Sequence, residues 1–439
     1  MIVWDSDLYD EIFMIKDLKP LSCFQIYAGY SQILKVMQYM LKYTTSLRSD
    51  HYRLIKNLFH DSSREDPSEC QYLVTYGART SLDLYFQAKN YPEGSEVLMT
   101  AISTDGTIET VRGKNYSNRN EMKVVPVDIG WETMGPSLLN VKSQITEKTV
   151  AIVLSYPYGI IYDISEIAWF CKNKGIDIIE DCSEAFSGIH TPGSPHADLT
   201  LLSFGMLKHY SCFGGAVTVV RRDQEIYNKM IQIEKTYPKE KSFYYFTRVI
   251  KAARLMTLLN SNEKFILKMA RVLQQYKVLH YIRKPIRKLR QRISLPCLRL
   301  MFSRLSEIDP IEHIEKYDQL RKYQFTGVIP GHNALQHTYW LYPVIFREPK
   351  KIIVACRFRG IQALAGKEVH WLASGEKEDD QDSDKIPEAK RILENIVLLP
   401  INIETSELNI QKVKSEVVDS VNALNRGLQI LPIRIIAKL

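Results

Sequence analysis

The chain has 439 residues, of which 45% are hydrophobic and 25% are charged, so it can bury a large core and is neither disordered nor fibrous. No apolar run approaches the roughly 18 residues that span a bilayer, and the acidic first residues lack the basic region of a secretory signal. The seven cysteines are scattered without a CxxC pair, which favours a reducing compartment over a disulfide framework or a zinc ribbon. We therefore expect a cytoplasmic globular protein.

The formal net charge of +8 is concentrated in one segment. Between Arg283 and Arg304 there are eight basic residues and no acidic residue, so the remainder is balanced and nucleic acid is not an expected partner. In 281–304, Ile and Leu are mixed with these cations, as in helices that lie on membrane surfaces. The segment could instead attract a nucleotide-diphosphate substrate or form a solvated helix face.

Hydrophobic periodicity predicts helices in residues 1–65 and an α/β domain after them. From about 70 to 220, short apolar runs alternate with amphipathic stretches, a pattern typical of a mostly parallel sheet covered on both faces. The predicted strands are Tyr72–Tyr76, Glu96–Met99, Lys123–Val127, Thr149–Ser155, Asp177–Ile179, Leu199–Ser203 and Ala216–Val220. The predicted helices between them include Ser81–Lys89, Leu138–Ile145 and Ile164–Lys174.

The second half of the chain has a different pattern. Residues 223–325 are predicted to form continuous helix, broken at Pro285 and Pro296, and a smaller α+β region follows. That region should contain a strand near Tyr339–Phe346 and helices near 351–359, from Pro387 and from Leu408. The predicted domains are a helical N-terminal segment (1–65), an α/β domain (66–225), a helical basic insertion (226–325) and a small α+β domain (326–439).

Three predicted strands end in polar residues, and ligands of open parallel sheets bind beyond the carboxyl ends of strands. The turn Gly77-Ala-Arg-Thr-Ser81 could hold a phosphate at a helix N-terminus, or Thr and Ser could simply cap that helix. Asp181 could stabilise a protonated ring nitrogen of a cofactor, or form a capping box with Glu184. Lys208 lies in a glycine-punctuated loop where desolvation can make its amine nucleophilic, although most lysines in such loops are solvated.

The order and spacing of these features resemble fold-type-I pyridoxal-phosphate enzymes and, more narrowly, the DegT/DnrJ/EryC1/StrS sugar aminotransferase family. The resemblance covers about 70–222 and 335–425. The segments that carry it include Val125-Pro-Val-Asp128, Val153-Leu-Ser-Tyr-Pro-Tyr-Gly159, Ile179-Glu-Asp-Cys-Ser-Glu-Ala185, Ser203-Phe-Gly-Met-Leu-Lys208, Gly214-Gly215 and Tyr339-Trp-Leu-Tyr-Pro-Val344. It implies a three-layer, mostly parallel sheet with a smaller α+β C-terminal domain and, in this chain, a helical insertion.

The resemblance also implies a cofactor, pyridoxal 5'-phosphate, and a role for each matching residue. Lys208 would bond covalently to the cofactor and move the substrate proton, and Asp181 would pair with the pyridine nitrogen. Glu184 stands where the family usually has Gln, near the phenolic oxygen. Ser203 and the turn Ala78-Arg79-Thr80 would hold the phosphate.

Some positions depart from the family pattern. Thr104 stands where an aromatic residue usually stacks on the cofactor ring, and Tyr156 replaces a usual His. The Asn-containing segment that reaches the partner subunit's site is not recognisable in residues 240–305. No metal site is expected, because His332, His337 and His370 lack ligand spacing and are predicted to be ordinary loop or core histidines.

The predicted function is a pyridoxal-phosphate-dependent aminotransferase that converts a nucleotide-linked keto sugar to an amino sugar, with glutamate as the donor. The family implies a homodimer and a place in amino-sugar and polysaccharide biosynthesis. The alternative is a degenerate, non-catalytic member that contacts the membrane surface through 281–304; the retention of Asp181 together with Lys208 argues against it. A third interpretation keeps the cofactor but makes the reaction a decarboxylation or an aldol cleavage.

Overall fold

The computed structural model describes residues 23, 26–41, 48–62, 69–114, 116, 118–190, 192–259, 288–308, 319–320, 322–323, 327–358, 361–373, 385–402 and 405–425. The predictions made for residues 1–22, for Pro285 and for 281–287 of the basic segment lie outside the described residues. Among the helices of these ranges, none has the length and hydropathy of a membrane span. All seven cysteines are buried as thiols.

The strands are β1 Cys70–Thr75, β2 Glu96–Thr100, β3 Ile102–Ser103, β4 Lys123–Val127, β5 Thr149–Ser155, β6 Ile160–Ile161, β7 Asp177–Asp181, β8 Leu199–Ser203, β9 Ala216–Arg221, β10 Gln336–His337, β11 Tyr342–Ile345, β12 Leu364–Ala365, β13 Trp371–Leu372 and β14 Ile396–Leu399. The helices are α1 Tyr30–Leu41, α2 Arg48–Ser62, α3 Ala78–Lys89, α4 Asp105–Arg112, α5 Leu138–Gln144, α6 Ser165–Asn173, α7 Gln224–Thr236, α8 Ser242–Leu259, α9 Leu295–Leu305, α10 Pro349–Phe358, α11 Pro387–Asn395 and α12 Glu407–Asn425.

A seven-stranded sheet in the order β1-β9-β8-β7-β5-β2-β4 forms the centre of the fold. Only β9 runs antiparallel to its neighbours in this sheet. Each of the seven strands predicted from the sequence forms and belongs to it, which confirms the predicted α/β class.

Helices cover both faces of this sheet, as the alternation of side chains along β5 shows. Ile152 and Leu154 pack into a core with residues of α1, α2, α6, α8 and α9. Ala151 and Val153 pack into a second core with residues of α3, α4 and α7. Because successive side chains of a strand point to opposite faces, a continuous apolar run serves both cores at once.

The prediction of continuous helix over 223–325 is wrong in part. The helix breaks between α7 and α8, around Pro238, which the sequence analysis did not predict. Pro296 lies in the first turn of α9 and therefore begins a helix rather than breaking one. Its fixed φ and missing N–H are compatible with the first turn, where the N–H has no intrahelical partner.

Four described arginines of the basic segment contact other parts of the same chain. Two form ion pairs, Arg290 with Asp83 (2.8 Å) and Arg292 with Glu234 (3.2 Å). Two donate hydrogen bonds to backbone carbonyls, Arg299 to Tyr39 (3.5 Å) and Arg304 to Tyr27 (2.8 Å). None of the three alternatives that the sequence left open for this segment was bonding to other residues of the same chain. These contacts fix residues 290–304 against α3, α7, α1 and Tyr27.

The C-terminal residues form a three-stranded antiparallel sheet, β11-β14-β12, and also reach back to the large sheet's carboxyl edge. The short strand β10 pairs with β6, and β13 pairs with β3. These two pairings bring residues 336–340 and 368–373 next to the turns that follow the parallel strands.

Candidate active site

A cavity of about 310 Å³ lies at the carboxyl ends of the parallel strands. Turns that follow β1, β5, β7 and β8 form much of its wall. The eight residues predicted from the sequence for the cofactor site all line it: Ala78, Arg79, Thr80, Thr104, Asp181, Glu184, Ser203 and Lys208. They meet because the carboxyl ends of parallel strands share one edge of the sheet.

Lys208 follows β8 and directs its amine toward Glu184. The backbone N–H of Lys208 donates to the Gly205 carbonyl (3.0 Å) and closes the turn. Lys208 Nζ lies 3.1 Å from Glu184 Oε1 and 4.1 Å from the centroid of the Trp340 ring. Trp340 Nε1 donates to the Leu207 carbonyl (2.7 Å) and is thereby fixed beside the lysine. The amine is held between a carboxylate and an aromatic face.

Glu184 accepts three hydrogen bonds in this cavity. The donors are Lys208 Nζ (3.1 Å), His370 Nε2 (2.9 Å) and the backbone N–H of Tyr158 (3.1 Å). Burial disfavours the charged carboxylate, but the charges and hydrogen bonds of His370 and Lys208 outweigh it and hold the pKa of Glu184 at about 2. His370, which the sequence predicts to be an ordinary loop or core histidine, is a buried histidine that is bonded to this carboxylate.

Asp181 is the last residue of β7 and is buried. Its Oδ1 accepts from the backbone N–H of Ser183 (3.0 Å), and its Oδ2 accepts from Thr107 Oγ1 (3.3 Å). Burial raises the pKa of Asp181, although the hydrogen bonds from Ser183 and the charge of Lys208 oppose that rise. Residues 183–185 form a turn rather than a helix, so the capping-box alternative is wrong.

The N-terminus of α3 opens on the same cavity. Gly77 stands at its cap position and provides no side-chain hydrogen bond, and the first N–H groups of a helix have no partner within the helix. Ser203 lies opposite, where its Oγ accepts from the Gly205 N–H (3.4 Å). Thr80 donates its hydroxyl to the Leu289 carbonyl (2.9 Å), so residue 289 of the insertion lies against this end of the cavity.

Ser81, which the sequence offered as a further phosphate ligand, points elsewhere. Its buried hydroxyl is hydrogen-bonded to the hydroxyls of Thr75 (2.7 Å) and Thr218 (2.5 Å). The side chain therefore links α3 to β1 and β9.

The two positions that depart from the family pattern both have structural partners. Thr104 is the N-cap of α4, and its Oγ1 accepts from the Thr107 N–H (3.4 Å) and contacts Thr107 Oγ1 (2.9 Å). Tyr156 donates its hydroxyl to Glu180 Oε1 (2.6 Å). Thr104 thus belongs to the hydrogen-bond chain that reaches Asp181.

Sequence reasoning missed four residues of this site: Thr107, Tyr158, Trp340 and His370. The separations along the chain are large, 74 residues for Thr107 to Asp181 and 186 for His370 to Glu184. Local patterns do not identify contacts at such separations. Tyr158 and Trp340 had a signal, since both lie in segments that carried the resemblance.

Comparison with known sequences points to one family. Residues 71–261 match the DegT/DnrJ/EryC1/StrS aminotransferase family. GDP-perosamine synthase of Escherichia coli O157:H7 is 26% identical over 177 residues, which cover 38% of this chain and 45% of that protein. The dTDP-4-dehydro-2,3,6-trideoxy-D-glucose 4-aminotransferase of Saccharopolyspora spinosa is 30% identical over 145 residues, 33% of this chain and 36% of that protein. These matches span less than half the length of either relative.

Comparison with solved structures extends the similarity of fold over most of the chain. The aminotransferase PseC of Helicobacter pylori superposes with a TM-score of 0.65 at 16% identity, over 92% of this chain and 100% of that one. The putative sugar aminotransferase Spr1654 of Streptococcus pneumoniae, in its PMP form, gives 0.65 at 15% identity over 92% and 100%. Over residues 71–261 the chain is thus similar to the DegT/DnrJ/EryC1/StrS aminotransferase family, and its fold is that of solved aminotransferase structures.

Proposed function

We propose that the protein is a pyridoxal-phosphate-dependent aminotransferase that converts a nucleotide-linked keto sugar to an amino sugar, with glutamate as the amino donor. The observation that carries the proposal is the convergence of Lys208, Asp181 and the open N-terminus of α3 on one cavity. Each matches a different part of the cofactor.

The chemistry of these residues fits pyridoxal phosphate. The N-terminus of α3, with Ser203, would hold the phosphate group. Asp181 is a buried carboxylate with a hydrogen bond to each oxygen, and it would face the protonated ring nitrogen. Lys208 would bond to the cofactor's carbonyl carbon. When bound, pyridoxal phosphate supplies the electron sink that lets an amino acid lose its Cα proton.

The chain's own residues then have to hold and move protons. Lys208 has a primary amine that can take a proton from a substrate carbon and return it. Glu184, ionised beside it, hydrogen-bonds that amine. Trp340 covers the amine from one side and limits its access to water.

Support for the substrate class comes from the relatives. The names of two of them, GDP-perosamine synthase and dTDP-4-dehydro-2,3,6-trideoxy-D-glucose 4-aminotransferase, refer to nucleotide-linked sugars. Glutamate as donor, a homodimer, a cytoplasmic location and a membrane contact through 281–304 are further parts of the sequence-based hypothesis.

The test is the absorption spectrum of the purified protein with added pyridoxal phosphate. Wild type should develop a band at about 410–430 nm that Lys208→Ala lacks, and glutamate should bleach it. Lys229→Ala, on the exposed face of α7, is the matched control and should keep the band.

Two other results would change the assignment. Absence of any Lys208-dependent band would favour the non-catalytic alternative. A band that forms but persists with glutamate and other amino donors would favour a decarboxylase or an aldolase, because a transaminase must leave pyridoxamine phosphate. A screen of nucleotide-linked keto sugars would follow only from a bleached band.

A further inference from the structure

His370 reaches Glu184 from a segment that pairs with β3, the short strand that follows β2 in the chain. It is 1% exposed, and the next two residues form β13, which pairs with β3 through Trp371↔Ser103 and Leu372↔Ile102. Its Nε2 lies 2.9 Å from Glu184 Oε2. Because the paired strands fix the backbone beside it, the imidazole has a defined position relative to the carboxylate.

A strained turn supplies a second fixed donor to the same carboxylate. Tyr158 has φ +63°, an unfavourable conformation for a residue with a large side chain, and its N–H donates to Glu184 Oε2 (3.1 Å). The Tyr158 ring meets the His370 ring edge to face, with centroids 4.6 Å apart. Thr338 donates to the Glu184 backbone carbonyl (3.1 Å). Residues distant in sequence thus hold Glu184 from three sides.

The two oxygens of Glu184 have different partners. Oε1 faces Lys208 Nζ, whereas Oε2 faces His370 and the Tyr158 N–H. In the proposed reaction Lys208 gives up and regains protons, so its interaction with Oε1 changes. The interactions at Oε2 involve no reacting atom and can persist throughout. A buried carboxylate that lost its fixed partners would have to reorient or take up a proton.

We propose that His370 is a positioning residue for Lys208 that acts through Glu184. Its imidazole fixes Oε2, and this keeps Oε1 directed at the lysine amine in the cavity. The inference rests on the proposed function to the extent that Lys208 is the residue that bonds to the cofactor. In a neutral imidazole Nε2 would carry the proton that faces the carboxylate, and the side-chain amide of Gln could replace that donor.

The test measures how fast the Lys208-dependent band appears after pyridoxal phosphate is mixed with the full-length protein. His370→Ala should slow it by roughly 10–100-fold, as expected when a reacting group is misplaced. His370→Gln, which keeps a donor, should restore most of the rate. His332→Gln, at an exposed position outside the cavity, is the matched control and should equal wild type.

A double-variant cycle tests the route through Glu184. If His370 acts through that carboxylate, Glu184→Gln combined with His370→Ala should be no slower than Glu184→Gln alone. Thermal unfolding of each variant without cofactor separates loss of folding from loss of positioning.

Each contrary outcome overturns a separate claim. An unchanged rate in His370→Ala, or effects that multiply in the double variant, would refute the positioning role while the wild-type band still supported the proposed function. Equal losses in His370→Ala and His370→Gln, tracking lower thermal stability, would show a merely structural role. A wild type without any Lys208-dependent band would refute the proposed function, and this inference with it.

Discussion

Replacing Asp83 with Asn should strongly destabilise the protein, because this buried carboxylate balances two guanidinium groups. Arg119 Nε lies 3.2 Å from Oδ1, and Arg290 Nε lies 2.8 Å from Oδ2. Gln87 Nε2 also donates to Oδ2 (2.8 Å). Through Arg290, the cluster attaches the insertion to α3 next to Leu289, whose carbonyl accepts the Thr80 hydroxyl at the cavity.

The size of the effect follows from burial. The side chains of Arg119 and Arg290 are 1% and 12% exposed, and that of Asp83 is fully buried. Asn preserves shape but removes the charge, so both cations lose their counter-charge in a region that water hardly reaches. Breaking a buried ion pair costs about 3–5 kcal/mol. Because Arg119 keeps its hydrogen bond to the Val111 carbonyl (3.3 Å), we expect about 3 kcal/mol.

Urea unfolding followed by far-UV circular dichroism measures this difference. Glu225→Gln is a suitable control, since its ion pair with Lys229 is equally short (2.7 Å) but the side chains are 78% and 47% exposed. Such a surface pair should be worth only about 0.3–0.5 kcal/mol. A loss below about 1 kcal/mol in Asp83→Asn would refute the view that burial makes this cluster strong. We also expect weaker binding of pyridoxal phosphate, because residue 289 would be less firmly held.

Three further outcomes are expected. Gly159→Ala should cost more than about 1 kcal/mol in thermal or urea unfolding, because Gly159 has φ +87° and an added Cβ would overlap Thr338 Oγ1; an unchanged stability would contradict this. The pKa of Glu184 is about 2, against 4.5 for an ordinary Glu, so its ionised carboxylate stabilises the fold above pH 4.5 and this stabilisation is lost as the pH falls toward 2. Over that range the free energy of unfolding should therefore fall by about 3 kcal/mol less in Glu184→Gln than in wild type. Parallel acid-unfolding curves of the two proteins would disprove this. Thr104→Ala should cost about 1 kcal/mol through loss of the α4 cap, and Thr104→Ser should restore most of it.

The parts of the fold that were predicted correctly depend on local patterns. The runs Thr149–Ser155 and Leu199–Ser203 were assigned with the bounds that the structure has, because apolar runs of that length between turns have few alternatives. Proline was less informative. Pro296 begins a helix where a break was predicted, since the same residue suits a first turn and disrupts an interior.

The residues of the candidate site likewise include some that a local pattern predicts and others that it does not. Asp181 and Lys208 were identifiable because one ends a buried strand and the other follows one, and parallel strands bring their carboxyl ends to one edge. Glu184 was expected near the cofactor, but its bond to His370 was not, because 186 residues separate the two. The cations Arg290 and Arg292 were likewise read as a charged surface, whereas they pair with Asp83 and Glu234.

The α/β class, the strands of the large sheet and the residues at their carboxyl ends could be predicted from the residues alone, because these features depend on hydrophobic periodicity and on chain order. The folded structure was needed to show which side chains surround Lys208 and Glu184, and where residues 288–304 of the basic segment lie. Those contacts join residues far apart in the chain through short hydrogen bonds and buried ion pairs. Such contacts depend on how distant parts of the chain pack together in space, and a local pattern of residues does not predict that packing.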